Sequence, residues 1–201
     1  MPMEQLDQLA LALDETAQMI ASIRDDEWTN ATPCTEWTVR DLVAHVERGN
    51  RAFTRILRGE PAGAGAAAQP SAAEDRDRPT RFQESATALL AAFRQPGVLE
   101  QVFTVPFGSV PGTVALHLRL TEILVHGWDL AQATARPTPY PDDLAEQELA
   151  FSAPKLSELP AGRSPFAPPR PVAADAPAID RLAALLGREI MPAPTQNASE
   201  S

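Results

Sequence analysis

The run Leu120-Thr121-Glu122-Ile123-Leu124-Val125-His126-Gly127-Trp128-Asp129-Leu130 constrains this chain more than any other stretch. It is the most apolar helical run in the sequence, yet it carries a carboxylate and an imidazole four residues apart. On a helix, positions i and i+4 share one face, so Glu122 and His126 point the same way. A carboxylate there is costly to bury unless something compensates it. From Val114 to Leu130 the helix is apolar on nearly all sides, which marks a central, buried element. Other helices must therefore wrap around it and supply partners for its few polar groups.

The rest of the chain offers those helices. Residues 3–24 repeat Leu6, Leu9, Leu13, Ala17, Ile20 and Ile23 at helical steps, which predicts a first helix that contributes core. An irregular connection over 28–37 follows, and Thr38 then reads as an N-cap. Asp41 stands three residues on as a short capping box, with Trp37 and Leu42 placed as a hydrophobic staple. The second helix runs over about 39–58, with a buried stripe of Val39, Leu42, Val43, Val46, Phe53 and Leu57. His45 sits at the edge of that stripe, and Gly49 and Ala52 follow it as small residues that leave room beside it. Further helices are expected over about 80–94, 113–135 and 141–152, with a short extended hairpin from Val98 to Gly112.

Two segments are set apart by composition. Residues 59–78 are rich in Gly, Ala and Pro and then in charge, and are expected to form a flexible loop, with a helical turn near 71–77 as an alternative. Beyond 153 proline dominates. The resulting division is a helical bundle over 1–154, a proline-stiffened strap and short helix packing on it over 155–190, and a disordered tail at 191–201. The fold class expected is all-α: a four-helix bundle with a short β-hairpin and a C-terminal strap.

Charge and composition exclude several functions. The net charge is −10, which argues against a nucleic-acid partner and against anionic membranes. No run of about 18 apolar residues is present, so no membrane span is expected. With one cysteine there is no intrachain disulfide, and the N-terminus lacks the pattern of a secretory signal, so a cytoplasmic location is expected. The glycine-rich nucleotide-binding motifs and the Gly-x-Ser-x-Gly elbow are absent. Cys34 reads as a small packed residue rather than a nucleophile, and His117 as a residue at the surface or an element boundary.

What remains is His45 on one inward helix and Glu122-x-x-x-His126 on another. One His plus a Glu/His pair can make a three-ligand metal site in a helix bundle, with open positions suited to catalysis or ligand capture. Zn²⁺ suits these donors best, and Ni²⁺, Fe²⁺ or Mn²⁺ also fit. The same spacing equally allows an Arg119–Glu122 ion pair with His126 hydrogen-bonded nearby.

The motif Thr32-Pro33-Cys34-Thr35-Glu36-Trp37-Thr38-Val39-Arg40-Asp41-Leu42-Val43-Ala44-His45, together with Glu122-Ile123-Leu124-Val125-His126-Gly127-Trp128-Asp129-Leu130-Ala131, resembles the mycothiol-dependent maleylpyruvate isomerase N-terminal-domain family. That family belongs to the DinB/YfiT-like helical bundles that bind metals. Residues around Phe166 to Arg188 resemble the C-terminal part of an actinobacterial subgroup of metal-binding proteins. The resemblance implies a DinB-like bundle with a divalent metal held by His45, Glu122 and His126. It also implies mycothiol or a similar thiol as co-substrate and a transferase or isomerase reaction on a small electrophile. Asp129 or Arg119 would then orient the ligands, and Cys34 and Trp37 would line the pocket. Bundles of this kind often form homodimers. The C-terminal part is too short for the isomerase's second domain, which separates this chain from the isomerase's own substrate. A non-catalytic binding module or a structural dimer with a vestigial site are the alternatives.

Overall fold

The computed structural model describes residues 4–35, 37–60, 71–105, 108–158 and 166–190. Four helices form the bundle: α1 (Gln5–Ala21), α2 (Val39–Leu57), α3 (Arg78–Phe93) and α4 (Gly112–Ala133). α1 packs on α3 and α4, and α2 packs on the same two, so the helices close a ring in the order α1, α3, α2, α4. A hairpin of β1 (Val102–Val105) and β2 (Gly108–Pro111) leads into α4, with Val102 opposite Pro111 and Val105 opposite Gly108. α5 (Asp142–Glu158) and α6 (Ala178–Leu185) pack on each other and on the side of α4 away from the ring.

This placement explains the composition of α4. It meets α1 and α2 on one side and α5 and α6 on the other, so no broad face remains for water. Leu116, Leu120, Ile123 and Leu124 are all fully buried. Each such side chain favours the folded state by about 1.5–3 kcal/mol relative to exposure. Gly127 lets α4 approach the α5 side closely: a Cβ there would collide with the hydroxyl of Tyr140 and stand 2.5 Å from its Cζ. That buried hydroxyl instead shares a 2.7 Å hydrogen bond with Thr16 of α1.

The start of α2 forms as its sequence dictates. Thr38 caps the helix, and its backbone N–H donates to the Asp41 carboxylate at 3.0 Å. Trp37, placed by the sequence for a staple, packs its ring 4.4 Å from the imidazole of His45.

The structure departs from expectation in three places. Residues 71–78 are not a loose loop: Ala72–Asp77 form a 3₁₀ turn that leads directly into α3. Asp75 is buried there and accepts hydrogen bonds from both Arg40 and Arg78, so two of the charges that suggested solvation, Asp75 and Arg78, are paired inward, while Arg76 and Asp77 are exposed. The Ala/Gly-rich residues 61–70 lie outside the described residues, as do most of the hairpin's turn, 159–165 of the strap and the 191–201 tail. α5 continues through Pro154 to Glu158, beyond the expected end at 152. The room beside His45 is also different. Ala52 is exposed, and the space left by Gly49 is filled by the guanidinium of Arg119, whose Cζ would lie 2.9 Å from a Cβ at that position.

Candidate functional site

α2 and α4 bring His45 and His126 face to face. Their ring centroids are 5.0 Å apart and nearly perpendicular, with the Trp37 ring 6.1 Å from His126 as well as beside His45. His45 makes no hydrogen bond with any described side chain or backbone group. Burial holds its pKa down to about 3, and His126 and Arg119 push the same way, so His45 is a neutral imidazole with free ring nitrogens at neutral pH.

His126 is held from behind. Its Nδ1 lies 3.1 Å from Oδ2 of Asp129, one turn along α4. Asp129 in turn accepts from Arg188 at 2.8 and 3.2 Å. Burial by itself would raise the Asp129 pKa, but the hydrogen bonds from His126 and Arg188 hold the carboxyl below the usual range. The result is a chain Arg188–Asp129–His126 that fixes the ring and leaves its Nε2 for other use.

Glu122 is treated differently. Its Oε2 accepts from Arg119 Nη1 at 2.5 Å, and Oε1 has no partner among the described residues. Arg119 is wholly buried, and also donates to Asn50 Oδ1 at 3.0 Å and to the Val46 carbonyl at 2.8 Å. Among the described residues no three His, Cys, Asp or Glu side chains converge closely enough to hold an ion. The structure thus gathers His45 and His126 and leaves Glu122 on Arg119. Of the two arrangements open to the sequence, the ion pair with His126 hydrogen-bonded nearby is present as expected, and of the three-ligand set only the two imidazoles meet.

The chemistry of this donor set nevertheless fits a divalent cation. A ligating imidazole commonly has its second nitrogen hydrogen-bonded to a carboxylate, and a ligating carboxylate is commonly hydrogen-bonded in turn. His126 with Asp129 is the first of these, and Glu122 with Arg119 the second. Cys34 is half-buried near the same residues, where burial raises its thiol pKa against the pull of Arg188. That disfavours a free thiolate and agrees with a packed residue.

Arg188 and Asn50 escaped the sequence reading as parts of this site. Arg188 lies 59 residues from Asp129 in the chain, and only the docking of α6 on α4 brings them together. His117, placed at an element boundary, stands half-buried where α4 meets α5, with its Nδ1 2.6 Å from the fully buried Glu148 and its ring stacked on Phe151. Thr121, one turn on, donates to the same carboxylate at 2.9 Å. A lone Glu in an amphipathic α5 gave no signal of that role.

Fold and site together define a class: a helical bundle whose inner helices present two imidazoles to each other, braced by a carboxylate and an arginine. Residues 9–131 match the family described as the mycothiol maleylpyruvate isomerase N-terminal domain. The chain belongs to this family. Two relatives, uncharacterized proteins MT0763 and Rv0738 of Mycobacterium tuberculosis (strains CDC 1551 / Oshkosh and ATCC 25618 / H37Rv), are each 36% identical over 180 residues. Each alignment covers 89% of this chain and 94% of the relative. The crystal structures of the mycothiol-dependent maleylpyruvate isomerase and of a histidine-to-alanine mutant of it superpose with TM-scores of 0.59 at 17% identity, over 74% of this chain and 68% of theirs. The all-α, DinB-like fold expected from the sequence is therefore the fold observed. No helix among the described residues is long and apolar enough to cross a membrane.

Proposed function

We propose that the protein is a divalent-metal-binding enzyme that uses a mycothiol-type thiol to transform a small electrophile, by transfer or isomerisation. The observation that carries this reading is the pair of facing imidazoles, one neutral and unpartnered, the other braced by Asp129. Membership of a family named for a mycothiol enzyme supports the thiol. His45 and His126 would hold the cation, with Glu122 contributing the oxygen that Arg119 leaves free. Zn²⁺ suits this set first. When bound, the metal supplies the Lewis acidity that makes a thiol ionise at neutral pH.

The chain's own residues do the rest. Asp129 keeps His126 in one tautomer, and Arg188 keeps Asp129 charged and in place. Arg119 compensates the Glu122 carboxylate. Trp37 shields the His45 ring and narrows the access of water.

Elemental analysis of protein purified without added metal is the first test. About one divalent ion per chain is expected, with loss from the His45→Ala/His126→Ala double variant. Equal, negligible metal in both would sink the proposal. Turnover of a panel of electrophiles with added thiol, abolished in Glu122→Ala, is expected next. Tight metal without any turnover would favour a binding module instead.

A further inference from the structure

A cavity of about 240 Å³ has Glu122, one helical turn from His126, in its wall, and neither His45 nor His126 is part of its lining. α4 lends it the face that runs from Val114 through Leu118 to Glu122, one turn apart each. Phe53 of α2, Phe151 and Leu156 of α5 and Leu186 after α6 complete an apolar enclosure. The space is smaller than the roughly 300–1,000 Å³ of sites that enclose drug-sized molecules, so its occupant is a short chain or a single ring.

We infer that this cavity binds the body of the electrophile, and that the ligand is a small apolar molecule with a single carboxylate. The assignment rests on the reading above that the reaction occurs at the neighbouring centre. Three observations give the charge pattern. Lys155, the chain's only lysine, lines the cavity, and its ammonium stands 4.8 Å from the Phe151 ring centroid without an ion pair among the described residues. In a chain of net charge −10, an unpaired cation beside an apolar hollow attracts an anionic end. The nearby Arg119 offers no second cation, because Glu122, Asn50 and the Val46 carbonyl occupy it. Thr121 and Ser152 add no charge: Thr121 donates to the buried Glu148, and the two hydroxyls lie 3.3 Å apart. A second carboxylate would be buried against an apolar wall with no further cation in the lining to meet it. One carboxylate at Lys155, an apolar body inside and the reacting end toward Glu122 satisfy the whole lining.

The test compares three six-carbon probes, hexanoate, 1-hexanol and adipate, by ligand-observed NMR titration of the full chain as purified, with no thiol. Hexanoate should bind about fivefold more tightly than 1-hexanol, the scale of an exposed ion pair, and more tightly than adipate. Lys155→Met should bring hexanoate to the level of 1-hexanol and leave 1-hexanol unchanged; Lys155 is exposed, so the fold is not at stake. Leu156→Trp, checked for a normal unfolding transition, should abolish binding of all three by filling the cavity. Absence of binding, equal affinity for hexanoate and 1-hexanol, preference for adipate, or indifference to either substitution overturns the inference. Binding is read without thiol or turnover, so a missing metal or missing activity refutes the proposed function and leaves this result standing on its own.

Discussion

Replacing Gly49 by alanine should destabilise this protein, against the usual effect in a helix. Inside a helix the change ordinarily stabilises by about 1 kcal/mol, because glycine loses more backbone freedom on folding. Here a Cβ would collide with Nη1 of Arg119 and stand 2.9 Å from its Cζ. The guanidinium is the far end of a flexible side chain, but it is fully buried and held by Glu122, Asn50 and the Val46 carbonyl. It also lies over the Phe53 ring, 5.9 Å from the centroid. To yield, it must give up at least one hydrogen bond from a charged donor, worth about 1.5–3 kcal/mol. Subtracting the propensity gain leaves a net loss of about 0.5–2 kcal/mol. Urea denaturation followed by far-UV circular dichroism reads this directly. A double-mutant cycle isolates the cause: in an Arg119→Met background the same Gly49→Ala change should be neutral or stabilising. If Gly49→Ala is as stable as wild type, or loses equally in both backgrounds, the reasoning about the Arg119 berth is wrong.

Two further outcomes follow from the same polar centre. Arg188→Met strands the buried Asp129 with His126 alone, and should cost about 3 kcal/mol in denaturant unfolding, with an Asp129→Asn/Arg188→Met double variant recovering part of it; a loss below 1 kcal/mol would show that Arg188 is not the brace. Metal-free protein should lose stability as the pH falls below 6.5, since unfolded His45 takes up a proton that the folded ring refuses down to about pH 3. The loss reaches up to about 2 kcal/mol at pH 5, and His45→Gln should flatten it; parallel losses in wild type and variant would assign the effect to other groups.

The bundle was legible because its signals are local. The spacing of Leu9, Leu13, Ala17 and Ile20 makes α1, the Thr38–Asp41 box starts α2, and the continuous apolarity of α4 states that it is surrounded. The second half of the 59–78 stretch was half legible: the helical turn offered as the alternative near 71–77 is what forms, but nothing local told that Asp75 meets Arg40, 35 residues away. Gly49 misled: a glycine near a histidine suggests room for a ligand, and a distant arginine had taken it.

Sequence alone determined which residue types can meet at the centre, because helical periodicity fixes the face on which His45, Glu122 and His126 lie. Tertiary structure alone decided what each of them touches. Arg119 reaches back under α2 to Asn50 and Val46, and Arg188 arrives from the far end of the chain to hold Asp129. Periodicity carries no information about the partner across a helix interface. That choice is set by how side chains fill the space between packed helices, and by the cost of leaving a buried charge without its counterpart.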